Sequence, residues 1–193
     1  MKSHTSLPLA AIAIAVAILS AGCVPMLVAG AAGTAIVAVD RRSAGAQIDD
    51  ATIETRVSQY ARSRWGDGAH ASVTSYNGVV LLSGEVPDEA AKNALADFTK
   101  STDRVRAVHN ELVVAPPSVI GSRTNDTYTT SVVKTRFVGT ATRFSPMHVK
   151  VVTDRQVVYL MGIVRRDEAD EAAQIAGTTK NVARVVKVFE YTD

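Results

Sequence analysis

Two stretches of the chain carry nearly the same run of apolar residues. They are residues 79–86, Val-Val-Leu-Leu-Ser-Gly-Glu-Val, and residues 157–164, Val-Val-Tyr-Leu-Met-Gly-Ile-Val. Each run is typical of a buried strand. The isolated glycine in each, Gly84 or Gly162, indicates a point where the backbone bends or is closely approached, so we interpret both as structural glycines. A fixed internal period predicts a duplicated structural unit.

The segment before each glycine strand also repeats. Alternating runs cover residues 69–76 and 147–153, and each is joined to its glycine strand by a tight turn. In the first copy the turn is Asn77-Gly78, a strong hairpin signal between two apolar runs. Residues 153–156 replace it in the second copy with a less typical sequence. Each copy is therefore predicted to contain a β-hairpin.

Helices and a third strand complete each unit. We expect a first helix before each hairpin, with Asp50 or Asp126 as its N-cap residue. After the hairpins the pattern predicts helices over residues 87–100 and 166–179. Third strands follow over residues 105–114 and 182–191. The order helix, strand, strand, helix, strand predicts an α+β fold in which a mixed three-stranded sheet packs against two helices.

The chain opens with a targeting segment. Lys2 is the only charged residue before Asp40, and an alanine- and isoleucine-rich run leads to Leu-Ser-Ala-Gly-Cys at residues 19–23. A charged start, a short apolar core and small residues before a break are typical of a signal peptide. The alternative is an uncleaved anchor that continues through residues 24–39, which are also free of charge.

Composition excludes some classes of protein. Cleavage before Cys23 leaves 171 residues with twenty basic and nineteen acidic side chains, which is not the strongly basic balance of a nucleic-acid-binding protein. The single cysteine rules out an internal disulfide, so packing alone must stabilise the fold. Two small domains joined by a short proline-containing linker are expected to touch each other.

The run that ends at Cys23 resembles a bacterial lipobox, in which the cysteine becomes the acylated first residue. The two repeats, with Gly84 and Gly162 in their central strands, resemble BON domains. Together they are similar to the dual BON-domain lipoproteins of the Gram-negative outer membrane. The implied organisation is a signal peptide over 1–22, a lipidated Cys23 and tether over 23–48, BON domains over 49–115 and 125–193, and a linker over 116–124.

The resemblance also implies a function. Such lipoproteins are not enzymes and take no cofactor. They support outer-membrane integrity, bind anionic phospholipid through the second domain, gather at division sites and influence the β-barrel assembly machinery. In such lipoproteins an aspartate directly after the cysteine favours retention in the inner membrane. This chain has Val24 there, which implies outer-membrane localisation with the body on the periplasmic face.

The residues give independent reasons to expect membrane contact. If the first helices are aligned through Asp50 and Asp126, Thr52 and Arg56 correspond to Tyr128 and Val132, which lie one turn apart and off the core stripe. The second repeat also carries net charge +2 over residues 125–193, against −2 over residues 50–114. Apolar side chains among cations are typical of an interfacial helix. The predicted phospholipid-binding residues are Tyr128, Val132, Lys134, Arg136 and Val138.

Two alternatives to lipid contact remain open. Tyr128 and Val132 are equally suited to a domain interface, since short-linked repeats usually pack together. A protein-docking or peptidoglycan-associated adaptor is the other alternative, with an exposed strand edge over residues 105–112 pairing with a partner and lipid contact being incidental.

No catalytic constellation is evident in the sequence. The zinc-protease pattern His-Glu-x-x-His, paired cysteines and the pattern Gly-x-Ser-x-Gly do not occur. His70 and His148 occupy equivalent positions at the two hairpins, which indicates a feature of the repeat and not a metal site. The acidic run at residues 167–171 opens a predicted helix, where acids favour the helix dipole. We therefore expect no metal and no small-molecule substrate.

Overall fold

The computed structural model describes residues 40–193. The predictions for Cys23, the signal peptide and most of the tether lie outside the described residues.

The first repeat forms seven consecutive elements. Helix α1 (Ala44–Trp65) and a 3-10 turn (Gly66–Gly68) lead into the hairpin of β1 (His70–Tyr76) and β2 (Val79–Val86), which is followed by α2 (Glu89–Ser101), β3 (Ala107–Asn110) and β4 (Val113–Val114). Strand β1 is antiparallel to β2, whereas β3 and β4 both run parallel to β2. The predicted hairpin is confirmed.

The second repeat follows the same order. Helix α3 (Ile120–Thr140) and a 3-10 turn (Pro146–His148) lead into β5 (Lys150–Asp154) and β6 (Val157–Val164), followed by α4 (Arg166–Gly177) and β7 (Arg184–Tyr191). Strand β6 is central, antiparallel to β5 and parallel to β7. The α+β fold of two tandem units, each with a mixed sheet and two helices, is confirmed.

The sheets are covered on both faces. Alternate residues of β2, such as Val80 and Leu82, pack against the helices of the first repeat, and Val158 and Leu160 do the same in the second. The residues between them form a third core, in which Leu81 of one sheet meets Met161 of the other. The described chain is therefore layered as helices, sheet, sheet and helices, and the two repeats share a domain seam.

The prediction that Asp50 and Asp126 are N-cap residues is wrong. Helix α1 begins at Ala44 after Ser43, whose hydroxyl accepts a hydrogen bond from the Ala46 amide at 3.1 Å. Helix α3 begins at Ile120, so each aspartate lies six residues inside its helix and is buried. Residues 44–48 and 120–124, expected in the tether and the linker, are consequently helical.

The two aspartates instead bind the hairpin turns. Asp50 accepts hydrogen bonds from the amides of Asn77 and Gly78 at 2.8 and 2.9 Å, and Asp126 accepts the equivalent bonds from Arg155 and Gln156 at 2.9 and 3.0 Å. All four turn residues have positive φ, a conformation that a turn such as Asn-Gly adopts readily and Arg-Gln does not. Each aspartate thus fixes its turn to the first helix of its repeat.

The predicted third strand of the first repeat is interrupted. Strands β3 and β4 keep one register along β2, but the ladder fails opposite Gly84, whose φ is +103°. The equivalent glycine of the second repeat, Gly162, does not have positive φ, and β7 is continuous. The distorted backbone at Gly84 accounts for the break.

Both glycines are required by a close backbone approach. A Cβ atom at Gly84 would overlap the carbonyl oxygen of His70, and one at Gly162 would overlap that of His148. His70 and His148 therefore occupy equivalent positions, in which the backbone carbonyl of each lies against the glycine of its repeat.

We expect Gly84→Ala to lower the free energy of unfolding by about 3 kcal/mol, because the added methyl group meets backbone and the φ is unfavourable for alanine. Urea denaturation measures the change. Gly139→Ala is the control, since space is open around this helical glycine, and its effect should stay within about 1 kcal/mol. Equal effects of the two substitutions would contradict this account of Gly84.

Candidate functional site

The solvent-facing side of α3 carries a long strip without charged side chains. Ile120 and Val138 are eighteen residues apart, which is five helical turns, so they lie on one line about 27 Å long. Tyr128 lies between them along the helix axis and about 80° around the helix from this line; it is 63% exposed, and Val138 is 76% exposed. The outer strip of α3 consists of Ile120, Thr124, Thr127, Tyr128, Ser131, Thr135 and Val138, all exposed.

The hydroxyl groups of this strip are already hydrogen-bonded. Thr124, Thr127, Ser131 and Thr135 each donate to the backbone carbonyl four residues earlier, at 3.0 Å in every case. A threonine bonded in this way exposes its methyl group, and its hydroxyl needs fewer hydrogen bonds with water. The outer strip of α3 is therefore less polar than its composition suggests.

The cations of α3 flank the strip and have no acidic partner among the described residues. Arg123 and Lys134 lie on one side of the strip and Arg136 on the other. Asp126 is the only acid of the helix, and it is buried and bound to the β5–β6 turn. Helix α1 carries two more acids, Asp49 and Glu54, and these form ion pairs with Arg104 and Lys150.

The predicted phospholipid-binding residues separate into distinct roles. Tyr128, Lys134 and Val138 are exposed, whereas Val132 is half-buried. Arg136 donates to the carbonyl of Ile175 at 2.7 Å and to the hydroxyls of Thr178 and Thr179. These contacts cap the carboxyl end of α4, so the guanidinium of Arg136 stabilises the fold of the second repeat.

The domain seam does not include Tyr128. Its apolar part is formed by the inner faces of the two sheets, and ion pairs border it, among them Arg106 with Glu190 at 2.7 Å and Arg184 with Glu111 at 3.5 Å. Arg106 directly precedes β3, and Arg184 is the first residue of β7. The alternative in which Tyr128 packs against the first repeat is therefore wrong.

Buried ionisable groups also lie at the seam. Asp154 accepts a hydrogen bond from the Gly84 amide of the other repeat at 3.1 Å, and burial together with the nearby Glu85 raises its pKa. Burial and the carboxylates of Glu111 and Asp154 raise the pKa of Tyr159 to about 12. These groups hold the two sheets in register and show no arrangement suited to catalysis.

Three exposed apolar residues near the strip were not predicted. Val119 and Ile120 at the start of α3 are both 75% exposed, and Met147 of the following 3-10 turn is 54% exposed. The first two fall in the predicted linker, where no helix was expected. They extend the apolar surface at both ends of α3.

The first described residues bind both repeats. Arg41 makes a two-bond ion pair with Glu168 of α4 at 2.6 and 2.8 Å and donates to the Ile163 carbonyl at 2.9 Å. Arg42 pairs with Asp50 of the first repeat at 3.0 Å. We call residues 40–42 the strap.

The strap lies beside the end of the outer strip. The guanidinium of Arg42 stacks on the ring of Tyr76, 4.1 Å from its centre, and is also paired with Asp40. Arg42 and Tyr76 line a groove of about 470 Å³ together with Lys134, Val138 and Met147. The described chain therefore begins beside the Val138 end of α3.

Residues 40–193 contain neither a cluster of metal-binding side chains nor a helix suited to span a membrane. No group of three or more His, Cys, Asp or Glu side chains is placed to hold a metal ion there. Within the same range, none of the helices has the length and apolar character needed to cross a bilayer.

Comparison with known proteins agrees with the repeat. The family model of the BON domain matches the chain twice, at residues 49–116 and 125–193. The chain belongs to the BON-domain family. Each match spans one repeat, so the helix, hairpin, helix and strand described above constitute a BON domain.

Two relatives are similar over most of their length. "Outer membrane lipoprotein DolP" of Haemophilus influenzae is 36% identical over 174 residues, which is 89% of this chain and 90% of that protein. The "21 kDa hemolysin" of Actinobacillus pleuropneumoniae is 30% identical over 155 residues, 79% of each chain. Among solved structures, the C-terminal domain of CdsD, a structural protein of the type III secretion system of Chlamydia trachomatis, is 14% identical with a TM-score of 0.29, covering 75% of this chain and 67% of that one.

We expect Arg41→Met to lower the free energy of unfolding by about 3 kcal/mol at neutral pH, because it removes the two-bond partner of the buried Glu168 carboxylate and leaves only Arg165, 3.7 Å away. Arg41 holds the pKa of Glu168 below its ordinary value of 4.5. The stabilisation is therefore full well above that value and is lost as the pH falls through the lower, folded-state pKa. Urea denaturation from pH 7 to pH 3 should show the difference between variant and parent shrinking as the pH falls.

The control for this prediction is Arg104→Met, which breaks an arginine–carboxylate ion pair with Asp49 in which Arg104 is 71% exposed. Its effect should stay within about 1 kcal/mol at every pH. An Arg41 variant that behaves like this control would show that the strap contributes no stability.

Proposed function

We propose that this chain is an outer-membrane lipoprotein, anchored through Cys23 with its BON domains in the periplasm, that binds anionic phospholipid through α3. The observation that carries the proposal is the outer strip of α3, a 27 Å exposed surface without charge that is flanked by unpaired cations. The name of the relative from Haemophilus influenzae supports the localisation.

The strip has the properties of an interfacial helix. Its exposed apolar side chains include Tyr128 and Val138, which are suited to the boundary between headgroups and acyl chains, where an aromatic ring is favoured. Lys134 and Arg123 border the strip at the level where phosphate groups would lie. Each cation near an anionic surface contributes about 1 kcal/mol.

The anchor makes this weak contact effective. Two cations and two apolar side chains give only modest affinity to a soluble fragment. Acyl chains on Cys23 would keep α3 close to the membrane at a high local concentration. The strap supports the same arrangement, because Arg42 lines one groove together with Val138 and Met147.

Maintenance of outer-membrane integrity is the role that we propose for this contact. Concentration at division sites and support of the β-barrel assembly machinery stay predictions from the family resemblance. The lipid contact proposed here requires neither of them.

We expect Tyr128→Glu to abolish co-sedimentation of a fragment of residues 40–193 with phosphatidylglycerol vesicles, because a carboxylate at the centre of the strip repels the headgroups. Thr52→Glu is the matched control, since Thr52 is the exposed counterpart of Tyr128 in α1 and gives the same new side chain. Circular dichroism checks that both variants are folded. Undiminished sedimentation of the Tyr128 variant would disprove the proposal.

A charge reversal tests the flanking cations. Lys134→Glu should weaken binding to phosphatidylglycerol vesicles by roughly tenfold and reduce its salt dependence, because a favourable contact becomes repulsive. Lys180→Glu is the control, an equal change of net charge at an exposed lysine after α4. If the two variants lose the same affinity, net charge alone governs the binding, and α3 has no special part.

A further inference from the structure

We propose that the free edge of β1 is a docking site for an extended acidic peptide segment of a partner protein, which would add to the first sheet as a further strand. This site borders the outer strip of α3, because Thr127, Ser131 and Lys134 line one of its grooves. It differs from the edge over residues 105–112 that the sequence suggested.

The backbone of β1 is open where the peptide would pair. In the register of the hairpin, Ala71, Val73 and Ser75 direct their amide and carbonyl groups away from β2. Those of Ser75 are occupied, since its amide donates to Glu54 at 2.8 Å and its carbonyl accepts from Lys150 at 3.2 Å. Ala71 and Val73 are thus left as the open part of this edge, a template for main-chain pairing.

Grooves lie on both faces of this open edge. One, of about 630 Å³, runs between Ala71, Val73 and the side of α1 at Ser58 and Arg62. The other, of about 460 Å³, runs between Ser72 and the elements α3 and β5 of the second domain. Because the side chains of a strand alternate between its two faces, an added strand would direct successive side chains into the two grooves.

The cations at these grooves select the charge of the partner. Arg62 lines the first groove, Lys134 lines the second, and Arg123 lines both. Among the described residues, no carboxylate forms an ion pair with any of the three. Asp67, an exposed acid of the first groove, opposes them only in part.

The acids of the second groove are already engaged. Asp126 binds the β5–β6 turn, and Asp154 accepts from the Gly84 amide and lies 4.0 Å from Arg155. A segment with acidic side chains on both faces therefore complements the site.

Strand β7, an edge of the second sheet, does not combine an open backbone with unpaired cations among the described residues. The cations along β7 are paired, Arg184 with Glu111 at 3.5 Å and Lys187 with Asp170 at 2.6 Å. An acidic strand arriving there would have to displace existing partners. The edge of β1 is favoured because its cations are unpaired and its backbone groups are open.

The test is an NMR titration of the full-length, ¹⁵N-labelled chain in zwitterionic detergent micelles with the peptide acetyl-Thr-Val-Glu-Glu-Val-Thr-amide. We expect the largest amide shifts at Ala71 and Val73, and binding that weakens as salt is raised. The peptide with both glutamates replaced by glutamine should bind about fivefold more weakly. Equal binding of the two peptides, shifts confined to β7 or α3, or no shifts at all would overturn the proposal.

Two variants make the titration specific. Val73→Pro removes one outward amide donor while leaving the hydrogen bonds between β1 and β2 in place, a substitution that edge strands tolerate, and it should abolish binding. The double variant Arg62→Glu, Arg123→Glu should prefer the same peptide with lysines in place of glutamates. Unchanged binding by both variants would overturn the proposal, as would concentration-dependent broadening at Ala71 and Val73 without peptide, which would assign the edge to a second copy of the chain.

Discussion

The central strands β2 and β6 are apolar on both faces, and the rest of the architecture depends on this constraint. A small domain with two helices can cover only one face of its sheet. The other face must be covered by something else, and in this chain each sheet covers the other, with Leu81 against Met161. The helices are consequently outermost, and α3 keeps one side free for contacts outside the molecule.

The duplicated fold could be predicted from the sequence because strand pattern, turn and glycine recur together. The role of Asp50 and Asp126 could not be predicted. An aspartate before an apolar run looks the same in the sequence whether it caps a helix or binds a distant turn. The apolar periodicity begins at Ile53 in α1, because the preceding turns are mostly solvent-exposed. Local sequence therefore indicated which residues correspond between the repeats but gave the wrong partner for their side chains.

The candidate site was predictable only in part. Tyr128 followed from comparison of the repeats, which exposes a difference between α1 and α3 that one copy alone would hide. The full length of the strip could not be predicted, because the prolines before Val119 suggested a linker. Hydrogen-bond and ion-pair partners that are distant in the sequence could not be predicted either. Arg136 contacts residues about forty positions away at the end of α4, and the pair of Arg41 with Glu168 spans 127 positions.

The strap determines how a mechanical load would enter the molecule. If the membrane is pulled away from the folded body, tension along the tether reaches Arg41 and Arg42 before it reaches α1. Arg42 is held by the first domain and Arg41 by the second, so the force is divided between two separate cores. Helix α1 can begin to unwind from its first turn only after these ion pairs have broken. If Cys23 anchors the chain as proposed, the strap protects it at the point where traction would otherwise start to unravel it.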